Sequence, residues 1–225
     1  MMNLKLIAMK KLFLFSLLLS VYSVTMAQKV FSFTFVASPQ IAWMNSGSKD
    51  VSSSTSHLGF DYGIEGDVFL NSERYAINTG LTVSSIGGSL KYKVPVAFSG
   101  KSLPAGTTAD YYLRYLEIPF ALKLRSKDFN RTRFYAQFGL NNWLNIRAKG
   151  STSDGSFNHE TISDEVRFYN IGINVGGGIE YDLGNRNYLS GGIIYTGSFF
   201  DSTTNTTVTD NTTLNSLRIR LGFVF

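Results

Sequence analysis

The side chains that exchange a proton near neutrality are two histidines, His57 and His159, and the chain contains no cysteine. His159 stands in a polar stretch with Asp154, Glu160 and Asp164, and a base beside an orienting acid is what a hydrolase at the rim of a fold would use. The Ser- and Gly-rich surroundings favour a solvated loop histidine among loop carboxylates over that catalytic pair. Without cysteine there is no disulfide framework, no thiolate metal site and no thiol nucleophile. No His-x-x-x-His pair and no repeated Asp/Asn calcium spacing occurs. Gly176-Gly177-Gly178 lies inside a strand-like run with no helix after it, so it is not a phosphate cradle. Asn-x-Thr triplets at Asn130, Asn205 and Asn211 would matter only in a eukaryotic secretory protein. No catalytic, cofactor or metal site is expected, and the chain is not read as an enzyme.

A second set of charges, Glu65, Asp67, Glu117, Lys123, Glu180, Arg218 and Arg220, falls on the non-apolar side of alternating runs. The clearest run has Leu116, Ile118, Phe120, Leu122 and Leu124 on one face and Tyr115, Glu117, Pro119, Ala121, Lys123 and Arg125 on the other. Leu58, Phe60, Tyr62 and Ile64 likewise oppose Asp61, Gly63, Glu65 and Asp67. Eight such runs are expected, at about 30–44, 57–70, 75–92, 110–125, 132–147, 164–182, 188–200 and 214–225. Helical periodicity is almost absent after residue 28, so the chain reads as all-β.

Alternation does not say which face is inside. The non-apolar face is dominated by Gly63, Gly80, Gly139, Gly172, Gly176, Gly178 and Gly222, with Asn78, Asn141 and Asn174. Small residues suit a narrow interior and would be odd on a solvated exterior, so the apolar face is assigned to lipid. The connections sort accordingly. Those at Asn71–Arg74, Ser126–Arg131 and Leu183–Asn187 are turn-like, whereas Asn45–Ser56, Lys93–Ala109, Ala148–Ser163 and Asp201–Thr213 are long, polar and read as solvated and mobile. Short periplasmic turns and long extracellular loops imply an eight-stranded antiparallel up-and-down transmembrane β-barrel with periplasmic N- and C-termini. An interfacial girdle is expected from Phe31, Phe33, Trp43, Tyr75, Tyr111, Tyr112, Phe134, Trp143, Tyr181, Phe199, Phe223 and Phe225, although Trp143 has lumen parity. Charges in a narrow interior are costly unless paired, so Arg218 and Arg220 are expected to bridge to Glu65 or Glu117 and plug the barrel; the alternative is separate charges along a hydrated passage.

Residues 1–27 have the layout of a secretory signal peptide: Met9-Lys10-Lys11, an uncharged run from Leu12 to Val24, then Thr25-Met26-Ala27, with cleavage expected after Ala27. Of the 21 basic residues this leader takes Lys5, Lys10 and Lys11 and no acid, which leaves 18 against 16 acidic residues. A net charge of +2 without a Lys/Arg stripe gives no reason to expect nucleic acid binding. The barrel domain is then residues 28–225, exported to the bacterial outer membrane.

Tyr115-Leu116-Glu117-Ile118-Pro119-Phe120-Ala121-Leu122-Lys123 resembles a strand of the PorT-like outer-membrane β-barrel proteins, in which Leu-Glu-Ile-Pro opens an apolar strand. Tyr135–Leu140 is similar to that family's next strand, Asn174–Tyr181 to its glycine-rich sixth, and the chain ends on a Phe-terminated amphipathic strand as these proteins do. The resemblance implies a small barrel, some of whose relatives serve secretion and gliding machinery, and no particular activity. By likeness to outer-membrane barrels generally, the series Leu217, Ile219, Leu221, Phe223 and Phe225 is the signal read by the barrel-insertion machinery. The expected role is structural, accessory or protein-interaction, with lipid, that machinery and other envelope proteins as partners, the last through the extracellular loops. A narrow channel and, behind it, a rim hydrolase at His159 are the alternatives.

Overall fold

A computed structural model describes residues 31–205 and 211–225. The expected leader, 1–27, lies outside the described residues. Eight long strands form the wall: β1 Phe31–Ser46, β2 Val51–Leu70, β3 Ser72–Tyr92, β4 Thr108–Arg125, β5 Thr132–Thr152, β6 Tyr169–Gly184, β7 Asn187–Ser198 and β8 Thr212–Val224. Each pairs antiparallel with its sequence neighbours, and β8 pairs back onto β1, so the sheet closes. Following Cα partners from Phe33 through Gly66, Thr79, Phe120, Leu140, Ile173, Gly197 and Asn215 returns to Trp43, ten residues along β1 from the start. That stagger over eight strands sets a tilt of about 40° and a height gain of about 2.5 Å per residue.

The alternation decides the faces as expected. Phe33, Phe35, Phe60, Ile64, Leu81, Phe120, Phe138, Ile193, Ile219 and Leu221 point outward and are exposed, while their strand neighbours Thr34, Asp61, Glu65, Thr82, Ala121, Gln137 and Arg220 point inward and are buried. Small residues let the wall close. At Gly139 on β5 a Cβ would overlap the Phe120 carbonyl oxygen and Ala121 Cα on β4, backbone atoms that cannot swing aside. The seam is stitched at the chain end: Phe225 N donates to Phe33 O (2.9 Å), Phe33 N donates to Phe225 O (3.0 Å), and the Phe225 ring stacks on Phe33 and Phe35.

Three expectations change. The first connection is only residues 47–50, because the polar run after Val51 keeps pairing with β3 and Val51 itself is buried. The sixth strand begins at Tyr169 rather than near 164, since Ser163–Glu165 makes a short 3-10 turn flanked by buried Ile162 and Val166. The loops are not simply solvated: β3–β4 carries a hairpin, Val96–Phe98 and Lys101–Leu103, whose Val96, Phe98 and Leu103 are at most 1% exposed. They pack with Phe157, Ile162 and Val166 of the β5–β6 loop and with Tyr92, Tyr111, Tyr115 and Trp143 of the wall. Tyr111 and Trp143 therefore belong to an interior apolar cluster and not to the girdle. The 21 residues of β3 rise about 50 Å, twice the roughly 25 Å apolar band of such barrels, so the wall continues beyond the band and the loops roof it.

Gly139→Val should lose most of the folded, faster-migrating species on unboiled gels, whereas Ala136→Val, which faces outward on the same strand, should keep it. Equal yields from the two would show that β4 and β5 do not approach this closely.

Candidate functional site: the barrel interior and its cap

Inward parity on every strand brings charged side chains together in the barrel. Near the end that carries the termini and short turns, Lys123 Nζ lies 2.7 Å from Glu180 Oε1 and 3.2 Å from Asp67 Oδ2. Arg125 donates from Nε to Glu180 (2.9 Å) and from Nη2 to Asp67, and Arg133 Nε donates to Glu180 Oε2 (2.6 Å). Asn78 Nδ2 donates to Asp67 (2.8 Å) and Glu65 (3.2 Å). One layer up, Arg220 bonds Glu65, and Arg218 grips Glu117 with both terminal nitrogens at 2.9 and 3.1 Å while reaching Asp61 at 3.2 Å. Thr82 Oγ1 donates to Asp61 (2.9 Å), and a relay runs from Gln137 to Asn174 (2.9 Å), Asn174 to Asn141 (3.1 Å) and Asn141 to Glu117 (2.5 Å).

The structure thus brings together all seven charges named from the sequence. It joins Arg218 to Glu117 and Arg220 to Glu65. Sequence reasoning missed Asp61, Arg125 and Arg133. Asp61 and Arg125 had lumen parity, and four acids against three bases was itself a signal that a cation was missing. With them, five buried carboxylates face five buried cations among the described residues, and this ion-paired set is formally balanced.

Above these layers the apolar cluster caps the lumen. Tyr92 and Tyr111 share a hydroxyl hydrogen bond of 2.7 Å, and the Phe98 ring meets those of Tyr111 and Phe157 edge-on at 5.8 and 5.2 Å. The hairpin is fastened to the β5–β6 loop: Ser99 N donates to Glu165 Oε1 (2.5 Å), Ser99 Oγ to Asp164 (3.1 Å), and Lys101 Nζ to Ser156 O (2.7 Å). Burial pushes the Glu165 carboxyl above its ordinary range against the opposing pull of the Ser99 N–H. Hydrogen bonds from Ser156 hold the exposed Asp154 carboxyl below its own.

The acids around His159 are engaged elsewhere, Asp154 with Ser156, Glu160 with Lys101 and Asp164 with Ser99. The His159 ring packs instead against that of Tyr112, with centroids 4.7 Å apart. His57 stacks on the same ring at 5.0 Å, its Nε2 3.1 Å from Ser89 Oγ, which donates to Asp110. Leu217, Ile219, Leu221, Phe223 and Phe225 all point outward along β8 and its end, an unbroken apolar stripe beside the seam.

A closed eight-stranded barrel with an apolar outer band and a polar, charge-balanced interior defines a bacterial outer-membrane β-barrel protein. Residues 26–204 match the model of the outer membrane protein beta-barrel domain family, and the chain belongs to that family. Among solved structures it is similar to Neisserial surface protein A, with 19% identity, a TM-score of 0.51, and coverage of 86% of this chain and 95% of that one. It is similar also to a major outer membrane protein of Thermus thermophilus (12%, TM-score 0.47, 87% and 98% covered) and to OprG of Pseudomonas aeruginosa (9%, 0.40, 86% and 95%). No curated protein matches the sequence. The protein resides in the bacterial outer membrane.

Glu117→Ala and Arg218→Ala should each destabilise the barrel by about 3 kcal/mol in urea titrations, because each removes the bidentate partner of a buried charge. The double mutant should lose at least about 1 kcal/mol less than the sum of the two; strictly additive losses would mean the pair is not coupled.

Proposed function

We propose that the protein is a structural or accessory barrel whose termini and short turns lie in the periplasm and whose loop cap faces outward to engage other envelope proteins. In this reading residues 1–27 are a cleaved leader, the barrel is of the PorT-like kind suggested by Leu116-Glu117-Ile118-Pro119, and its partners include secretion machinery. The observation that carries it is the filled interior: ion-paired side chains and an apolar roof occupy the lumen, and what remains to act is the surface. The cap supports it further, since loops fastened by hydrogen bonds and a buried Phe98 present a fixed surface rather than a mobile one. No catalysis is part of this reading.

A narrow channel is the second reading. It is favoured by buried polar atoms inside the barrel with no protein partner, among them Gln40 Oε1, Asn78 Oδ1 and Gln137 Oε1, which water would satisfy. Planar-bilayer recording separates the two. A filled barrel gives no steady conductance, and Phe98→Ala, which opens a cavity costing about 3–5 kcal/mol in the cap, should admit protease to the loops while the wall stays folded. Steady conductance in the wild type would favour the channel.

Assembly through the C-terminal series predicts that deleting Phe225 lowers the folded fraction in cells several-fold more than Phe199→Ala at the other rim. Equal losses would reduce Phe225 to a girdle residue.

A further inference from the structure

On the outer wall near the loops, β4 and β5 present three cations that the barrel does not use. Arg114 and Arg147 are direct Cα partners, and Lys149 lies opposite Tyr112 two residues further along. Cross-strand partners share a face, so all three project outward with Tyr112. A β-bulge makes this so: Arg114 pairs with Arg147 but Tyr115 with Asn145, which leaves Ile146 unpaired and turns Ile146 and Arg147 outward in succession. Like charges placed directly opposite are destabilising. Among the described residues none of the three side chains has an ion-pair or hydrogen-bond partner. The nearby acids are occupied, Asp110 by Ser89 and His57 and Glu160 by Lys101.

These cations border a cavity of about 180 Å³ shared with Tyr112, His57 and Leu58. The His57 Nδ1 is buried there without a partner. Its height follows from β4. The outward series runs Leu124, Leu122, Phe120, Ile118 and Leu116 before reaching Arg114, ten residues and so about 25 Å from Leu124, the full height of an outer-membrane apolar band. Arg114 and Arg147 therefore stand at the boundary between hydrocarbon and headgroups, with Leu116, Leu144 and Ile146 below them. The outward positions at the loop ends of β1 and β8, including Trp43, Asn45 and Thr213, carry no charge, so the facing wall lacks the feature.

We propose that this wall binds the phosphate of a lipid headgroup in the leaflet at the loop end, with the lipid's acyl chains over Leu116, Leu144 and Ile146. The two guanidinium forks and the Lys149 ammonium suit phosphate oxygens, and cations at a membrane surface bind anionic lipid without leaving water entirely. The phosphorylated glycolipid of the outer leaflet is the occupant, which rests on the reading that the loops face outward.

The test titrates lipid A onto the detergent-solubilised full-length protein and counts bound molecules by native mass spectrometry. The wild type should retain one molecule of lipid A and neither dephosphorylated lipid A nor phosphatidylcholine. The triple variant R114Q/R147Q/K149Q should bind about 100-fold more weakly while keeping its heat-modifiable gel shift, and R74Q/K127Q at the opposite end should bind as the wild type does. A loss under about threefold in the triple variant, or equal retention of phosphorylated and dephosphorylated lipid, overturns the site. Displacement by inorganic phosphate at the same concentration overturns the lipid as its source. Orientation is read separately: Ser102→Cys, in a chain without cysteine, should be labelled on intact cells by an impermeant maleimide. Failure of that labelling would overturn the outward placement of the loops and the outer-leaflet occupant while leaving the phosphate affinity measured in detergent to stand or fall alone.

Discussion

Hydrocarbon offers the peptide backbone no hydrogen-bonding partner, and nearly everything else in this molecule follows from that constraint. Each strand must be paired on both edges, so the sheet must close, and the pairing of Phe225 with Phe33 is where it does. Closing only eight strands with a stagger of ten leaves an interior about as wide as the side chains that fill it. The glycines and asparagines of the inner face and the approach of β4 to β5 at Gly139 are consequences of that width.

A narrow interior makes isolated charge costly and paired charge useful. The ion pairs link strands that are not neighbours: Arg218 of β8 reaches Glu117 of β4 across the lumen, and Arg125 of β4 ties Asp67 of β2 to Glu180 of β6. Bonds of this kind act as cross-braces. A register slip moves an entire inner face relative to its partners, which would cost not one contact but several buried charges at once.

The barrel itself was legible because its signal is redundant: period-two alternation in β2, β4 and β8, small residues on one face and the lengths of every connection but the first state the same architecture. What was not legible lacked a local pattern. The serine-rich start of β2 pairs through its backbone, and its Ser52 and Ser53 give no apolar alternation to read. The cap was hidden because Val96, Phe98, Leu103, Phe157 and Ile162 are scattered singly among polar residues, and only the tertiary fold gathers them. Parity finds seven lumen charges, but which acid meets which base depends on strand tilt and side-chain reach. Arg133 escapes it because its run begins only one residue earlier, leaving too little alternation to assign it a face.

The same chemistry of charge separates the two sides of the wall. Inside, among the described residues, each buried cation of the ion-paired set has a carboxylate, so a ligand would have to break existing bonds to enter it. Outside, the bulge at Ile146 brings Arg114 and Arg147 into opposition with no counter-charge, an arrangement that costs stability and that solvent or an anion must relieve. Without the bulge, strict alternation from Asn145 would carry Ile146 outward and turn Arg147 to the inner face, at the level of the apolar roof. One extra residue therefore serves both surfaces: it keeps a guanidinium out of the cap, where Trp143 and Tyr115 pack, and places it at the level where lipid headgroups begin.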